Sequence, residues 1–205
     1  MLDYDREAGY YDESRGGTAR AVAAADAIRR LLDGTDGLAG ADWLAGADRL
    51  LVDIAGGTGS VTAELAGDGM DVLATDLSDG MLRIAASRLP GRVLRGDATR
   101  LPVRDRSVAA VTSIWLLHLL TAEQVARVIS EVGRILRPGG RYITTVDKDG
   151  ARHRGTTVPT DRREVVERLA AAEGLWTVGR TNFVGHGQGE GNQPDPVYTL
   201  LAFAR

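Results

Sequence analysis

The chain contains no cysteine, which excludes disulfide frameworks, thiolate zinc sites and cysteine nucleophiles. It has one lysine, Lys148, so 24 of its 25 basic residues are arginines. Acidic residues number 28 and the net charge is −3, whereas a phosphate backbone calls for a basic stripe. No run approaches the roughly 18 consecutive apolar residues of a membrane span. The opening MLDYDREAGYYDE is too polar and acidic for a secretion signal. The expectation is a cytoplasmic, soluble protein with neither nucleic acid nor membrane as partner.

What is present is enough for a core. At about 150 residues per domain, 205 residues with 43% hydrophobic content fit one domain, or one with a small appendage, without staples. Residues 1–49 read as an N-terminal helical segment. The first 17 are polar and aromatic; Ala21, Val22, Ala25, Ile28 and Leu32 then recur at helical spacing, with Gly34 placed as a cap. Residues 35–49, with Trp43-Leu44, read as a loop or short helix.

From residue 50 to 205 strands alternate with helices. Leu50–Ile54 is nearly all apolar, as in a strand buried on both faces. A glycine turn and a helix over 60–66 follow, then a strand over 71–75 ending in Asp76, and a helix from Ser78 to Leu89. Further strands are expected at 92–95, 107–115, 141–146, 176–184 and 197–203. Thr121 and Gln124 make a capping box ahead of the stripe Val125, Val128, Ile129, Val132, Ile135. Arg137-Pro138-Gly139-Gly140 ends that helix, and Asp161 and Glu164 open another. The pattern predicts an α/β, Rossmann-like, seven-stranded, mostly parallel sheet covered by helices on both faces. The last two strands lack a helical connector, so the last strand runs antiparallel.

In such sheets ligands bind beyond the carboxyl ends of the strands. The first strand leads into Val52-Asp53-Ile54-Ala55-Gly56-Gly57-Thr58-Gly59, whose glycines allow close backbone approach. Asp53 interrupts an apolar strand, and a buried carboxylate needs a partner. Asp76 ends the second strand and Asp97 the third, the latter followed by small Ala98. The three acids converge on one crevice.

The ordered set VDIAGGTGS, ATDLS, RGDATRLPVRDRSVAAVTS and RILRPGGRY resembles the motifs of class I S-adenosylmethionine-dependent methyltransferases. It is similar in particular to the small-molecule, ubiquinone/menaquinone-type branch (methyltransferase domain 11-like), whose aromatic, acidic opening YYDESRGG resembles. The resemblance implies S-adenosylmethionine as cofactor, S-adenosylhomocysteine as product, and a small-molecule acceptor methylated at O, N or C. It assigns Asp53 to holding the turn and the methionine part, and Ala55, Gly56, Gly57, Thr58 and Gly59 to backbone lying along the cofactor. Asp76 would take the ribose hydroxyls, Leu77 and Met81 the adenine ring, and Asp97 with Ala98 the adenine amino edge. Ser113 and Ile114 would offer backbone at the mouth of the fourth strand. Tyr11 would belong to a lid, and Arg15 would pair with the cofactor carboxylate. Ala55 departs from the family's usual glycine, for which a small adjustment is expected.

Two other classes stay open. A nicotinamide-dinucleotide oxidoreductase would want a third glycine where Thr62 stands, and a methyl-donor-binding protein without catalysis would share the motifs. Candidate catalytic residues are His118, just after the fourth strand, and His153, after the fifth; His186 is the remaining histidine. Their spacing does not suit a metal, and none is expected. The chain is expected to act as a monomer or homodimer.

Overall fold

A computed structural model describes residues 3–34, 49–67, 70–148, 159–187 and 194–205. Expectations for 35–48, and for His153, lie outside the described residues.

The N-terminal segment forms short helices α1 (Tyr4–Glu7) and α2 (Tyr11–Ser14), joined by a single 3₁₀ turn, and then the long α3 (Gly17–Leu32). The core alternates β1 (Leu50–Ile54), α4 (Ser60–Ala66), β2 (Asp71–Asp76), α5 (Asp79–Arg88), β3 (Val93–Arg95) and β4 (Val108–Ser113). It continues with α6 (Ala122–Ile135), β5 (Leu136–Val146), α7 (Arg163–Ala172), β6 (Trp176–Val184) and β7 (Val197–Ala204). The seven strands lie in the order β3-β2-β1-β4-β5-β7-β6. Strands β1 to β5 pair parallel; β7 runs antiparallel to both neighbours, as the missing helical connector requires.

Each face of the sheet carries its own core. Helices α3 and α4 bury one side around Ile28, Leu51, Leu65 and Ile143, and α6 and α7 the other around Val52, Val111, Ile129 and Phe203. The α6 stripe is fully buried at Val125, Val128, Ile129, Val132 and Ile135, each worth about 1.5–3 kcal/mol of apolar transfer. Both bonds of the capping box form: Gln124 N–H donates to Thr121 Oγ1 at 3.3 Å, and Thr121 N–H to Gln124 Oε1 at 3.0 Å.

Two strand boundaries differ from the sequence reading by two residues or more. The fourth strand stops at Ser113, because Trp115 adopts a left-handed backbone (φ 59°) and gives its N–H to Thr145 Oγ1 at 2.8 Å. The fifth begins at Leu136, which already pairs with Val108; the Pro-Gly-Gly stretch is an irregularity inside the strand.

The parallel register sets the carboxyl ends of β1, β2 and β4 side by side, with Asp53 opposite both Ala74 and Thr112. The site is built on that edge.

Candidate active site

Beyond those strand ends lies a cavity of about 460 Å³. Its walls include Asp53, Ala55, Gly56, Gly57, Thr58, Asp76, Leu77, Met81, Asp97, Ala98 and Ile114, together with Tyr11 and Arg15 from the N-terminal segment. Those residues stood apart in sequence and were each expected at a common crevice.

Asp53 is 3% exposed. Burial pushes its pKa up to about 6, against the opposing pull of two hydroxyl donors. Thr62 Oγ1 donates to Oδ2 at 2.5 Å and Thr112 Oγ1 to Oδ1 at 2.7 Å. The buried acid is thus satisfied by neutral groups from α4 and β4, not by a cation. It supports the glycine turn from below, since a Cβ at Gly56 would stand 3.0 Å from Asp53 Oδ2.

The turn itself needs unusual backbone. Ala55 sits at φ 56° and Gly57 at φ 59°. At Gly57 a Cβ would meet no atom of the described residues within 4 Å, so the space beside its Cα is open. Alanine pays for the left-handed region about 1–2 kcal/mol, whereas glycine loses about 0.5–1 kcal/mol more chain entropy. Ala55→Gly is therefore expected to stabilise the protein by about 0.5 kcal/mol. A raised denaturant midpoint with unchanged m-value checks this.

Asp76 Oδ2 accepts the Gly57 N–H and Oδ1 the Ser78 N–H, both at 2.9 Å. Burial raises its pKa and these amides oppose the rise. A carboxylate has about four acceptor positions, so with the Leu77 amide also directed at it, room remains for hydroxyl donation from the cavity. Beside it Leu77 is 58% exposed while Met81 is buried, an apolar ledge open to the cavity. Asp97 Oδ1 accepts from Thr99 N–H and Oγ1, both at 2.8 Å, which orients the carboxylate at the third strand end.

Gly59, Ser113 and His118 are not brought to the cavity wall. Gly59 (φ 73°) caps α4, and its bare Cα lets that helix lie against α5: a Cβ would meet Ala85 at 3.1 Å and Leu89 at 3.2 Å. Ser113 turns into the core, with its Oγ 2.8 Å from Tyr142 Oη and donating to Thr144 Oγ1 at 2.9 Å. His118 is buried, and its Nε2 lies 2.9 Å from Lys148 Nζ.

The lysine responds to that setting. Burial above all, then repulsion from Arg20 and Arg15, lowers the Lys148 pKa to about 8. The unfolded chain holds that proton to about 10.4, so folding stability gains from this site as pH rises between those values and is indifferent below them. Because Lys148 is the sole lysine, reductive methylation with ¹³C-formaldehyde labels one side-chain amine. Its NMR shift is expected to titrate near pH 8; an ordinary lysine midpoint would contradict the burial.

Sequence reading also missed how the N-terminal segment is held. Asp5 Oδ1 accepts from Ser78 Oγ and from Gly80 N–H, both at 2.7 Å. Asp12 Oδ1 accepts from Thr58 Oγ1 at 2.6 Å, and its Oδ2 from Arg88 at 2.7 Å. Two acids thereby dock α1 and α2 over the turns after β1 and β2. The only sequence signal was their density in YDREAGYYDE. Arg20 was missed too, although it stands four residues before Ala24 and eight before Ile28, on the buried face of α3.

The chain matches the family described as "Methyltransferase domain" over residues 52–144. This segment is similar to a methyltransferase domain. The match runs from β1 into β5 and so contains the glycine turn and all three strand-end acids. Among curated relatives, a demethylmenaquinone methyltransferase of Beutenbergia cavernae is 42% identical over 94 residues, 45% of this chain and 38% of the relative. An uncharacterized methyltransferase of Mycobacterium tuberculosis is 37% identical over 138 residues, 64% of this chain and 56% of the relative. The chain thus spans less than two thirds of the length of these relatives. Geranyl diphosphate C-methyltransferase of Streptomyces coelicolor A3(2), solved with S-adenosyl-L-homocysteine, has a TM-score of 0.62 at 18% identity, covering 88% of this chain and 76% of that one. That likeness shows the fold. Among the described residues no group of side chains is arranged to hold a metal ion, and no helix is long and apolar enough to cross a membrane.

Proposed function

We propose that the protein is an enzyme that transfers a methyl group from S-adenosylmethionine to a small-molecule acceptor. The observation that carries this reading is the convergence of Asp53, Asp76 and Asp97, from three neighbouring strands, on a glycine-walled cavity within the segment similar to a methyltransferase domain. The donor set suits the cofactor. Asp76 has acceptor positions left for a ribose diol, and Asp97 an oxygen for an amino group. The Leu77–Met81 ledge gives an apolar bed for a purine, and Gly57 leaves room for the methionyl chain. Bound there, S-adenosylmethionine supplies an activated methyl group on a sulfonium.

The chain's own residues then bind, orient and exclude water. Orientation alone is worth up to about 7–11 kcal/mol in favourable cases. The docked α1–α2 segment acts as a lid, with Tyr11 and Arg15 closing the cavity; Arg15 pairs with the cofactor carboxylate. His118 stands behind the wall against Lys148, so in this reading it positions the chain after β4 and does not take the acceptor's proton.

A nicotinamide dinucleotide is disfavoured by Thr62. That residue stands where the dinucleotide fingerprint has its third glycine, and here its hydroxyl is committed to Asp53. The test of transfer is mass spectrometry of a panel of candidate metabolites mixed with protein and S-adenosylmethionine. An added CH₂ on one class of acceptor, dependent on protein, is the expected result. No methylated product together with reduction or oxidation of the panel by a nicotinamide cofactor would overturn it.

A further inference from the structure

The cavity is electrically divided. Its acids are Asp53, Asp76 and Asp97 at the ends of β1, β2 and β3, at one side of the sheet, with Asp3, Asp5 and Asp12 from the N-terminal segment, of which Asp5 and Asp12 bond to the turns after β2 and β1. Toward β4, β5 and β7 the charges on the cavity wall are of the opposite sign, Arg15 and Arg20; behind them lies Lys148, with Asp161 beside it.

Arg20 is the unusual member. It is 6% exposed, yet none of its partners among the described residues is a carboxylate. Its Nη1 donates to the Arg15 carbonyl at 3.2 Å, and the Tyr11 side chain hydrogen-bonds it as well. Its guanidinium carbon lies 3.4 Å from the centre of the Trp115 ring and 6.0 Å from that of Tyr198. Its Nε is buried with no hydrogen-bond partner among the described residues. A buried guanidinium served only by neutral groups carries an uncompensated desolvation cost. Arg15 and Lys148 add to it by repulsion.

Trp115 is itself held at a cost. A bulky residue at positive φ is a conformational outlier, and such strain persists where the surroundings impose it, often at ligand sites. Here it turns the indole onto the guanidinium at the cavity wall.

We propose that the methyl acceptor is an organic acid, whose carboxylate lies against Arg20 in the Trp115 half of the cavity. This rests on the methyltransferase reading and names its substrate class. The sulfonium and ammonium groups of the methyl donor are cations that the acidic half suits, and the donor's single carboxylate pairs with Arg15, which leaves Arg20 without an anion. An anionic second substrate fills the arginine half, neutralises Arg20, and lies beside the donor. The planar guanidinium matches a carboxylate geometrically, and Trp115 brings an aromatic side chain to the same wall, which suits a flat, unsaturated acid.

Calorimetry on the protein saturated with S-adenosylhomocysteine tests this, with benzoate, cinnamate and 4-hydroxybenzoate each compared with its neutral amide. At least one acid is expected to bind saturably and about tenfold or more tighter than its amide, the scale of a charge-assisted hydrogen bond. Arg20→Gln and Arg20→Met are expected to abolish that preference while leaving S-adenosylhomocysteine affinity within about threefold. Acids that bind no better than their amides would overturn the proposal, a result read on the unaltered protein even where a variant folds poorly. So would a parallel loss of S-adenosylhomocysteine binding in both variants, which would assign Arg20 to the cofactor's own carboxylate. Failure of the unaltered protein to bind S-adenosylhomocysteine would instead strike the methyltransferase reading itself.

Discussion

Asp76→Ala is expected to weaken S-adenosylhomocysteine binding by about 10- to 150-fold, or about 1.5–3 kcal/mol, as hydrogen bonds to a charged acceptor are lost. The carboxylate serves two purposes at once. It ties the Gly57 and Ser78 amides together at 2.9 Å each, and it keeps lone pairs toward the cavity. The usual isosteric control is not neutral here. Both oxygens already accept a backbone N–H, so Asp76→Asn sets an amide nitrogen against either Gly57 or Ser78. Asparagine is therefore expected to lose affinity nearly as far as alanine. Thermal unfolding separates lost folding from lost binding, and unchanged affinity in both variants would remove Asp76 from the site.

Gly80→Ala is expected to release the N-terminal helices. A Cβ at Gly80 would come within 2.8 Å of both the Cα and the carbonyl oxygen of Asp5, and a backbone clash of that kind costs about 1–3 kcal/mol. Within α5 the same change raises helix propensity by up to about 1 kcal/mol, so the core helix is not the part that suffers. Amide exchange over residues 4–14 should quicken while the sheet stays protected. Affinity for S-adenosylhomocysteine should fall about five- to a hundredfold, because Tyr4, Tyr11 and Arg15 leave the cavity wall. Faster exchange with full affinity would show that the segment covers the cavity without contributing to binding.

The strand-and-helix order was legible because buried parallel strands are written as apolar runs, and α6 as a continuous stripe. Asp53 announced itself as an acid inside such a run, and Asp76 and Asp97 as acids at strand ends. What stayed hidden depends on contacts between distant parts of the chain. Nothing near Trp115 says that Thr145 will take its N–H and end β4 early. Gly59 read as a cofactor contact because motif position does not reveal that Ala85 and Leu89 will pack on it. His118 followed a strand end, as a catalytic residue would, but its ring turns toward Lys148, 30 residues away. The anchoring of Asp5 to Ser78 spans 73 residues, and that of Asp12 to Thr58 spans 46. Arg20 looked like one more arginine among many until its burial beneath Trp115 separated it from the rest.

Calorimetric titration of the protein with S-adenosylhomocysteine and, separately, with NADH tests the central claim most directly. Saturable binding of S-adenosylhomocysteine at one site per chain, weakened in Asp76→Ala, with no saturable heat from NADH, is the result predicted. Saturable binding of NADH with none of S-adenosylhomocysteine would contradict it.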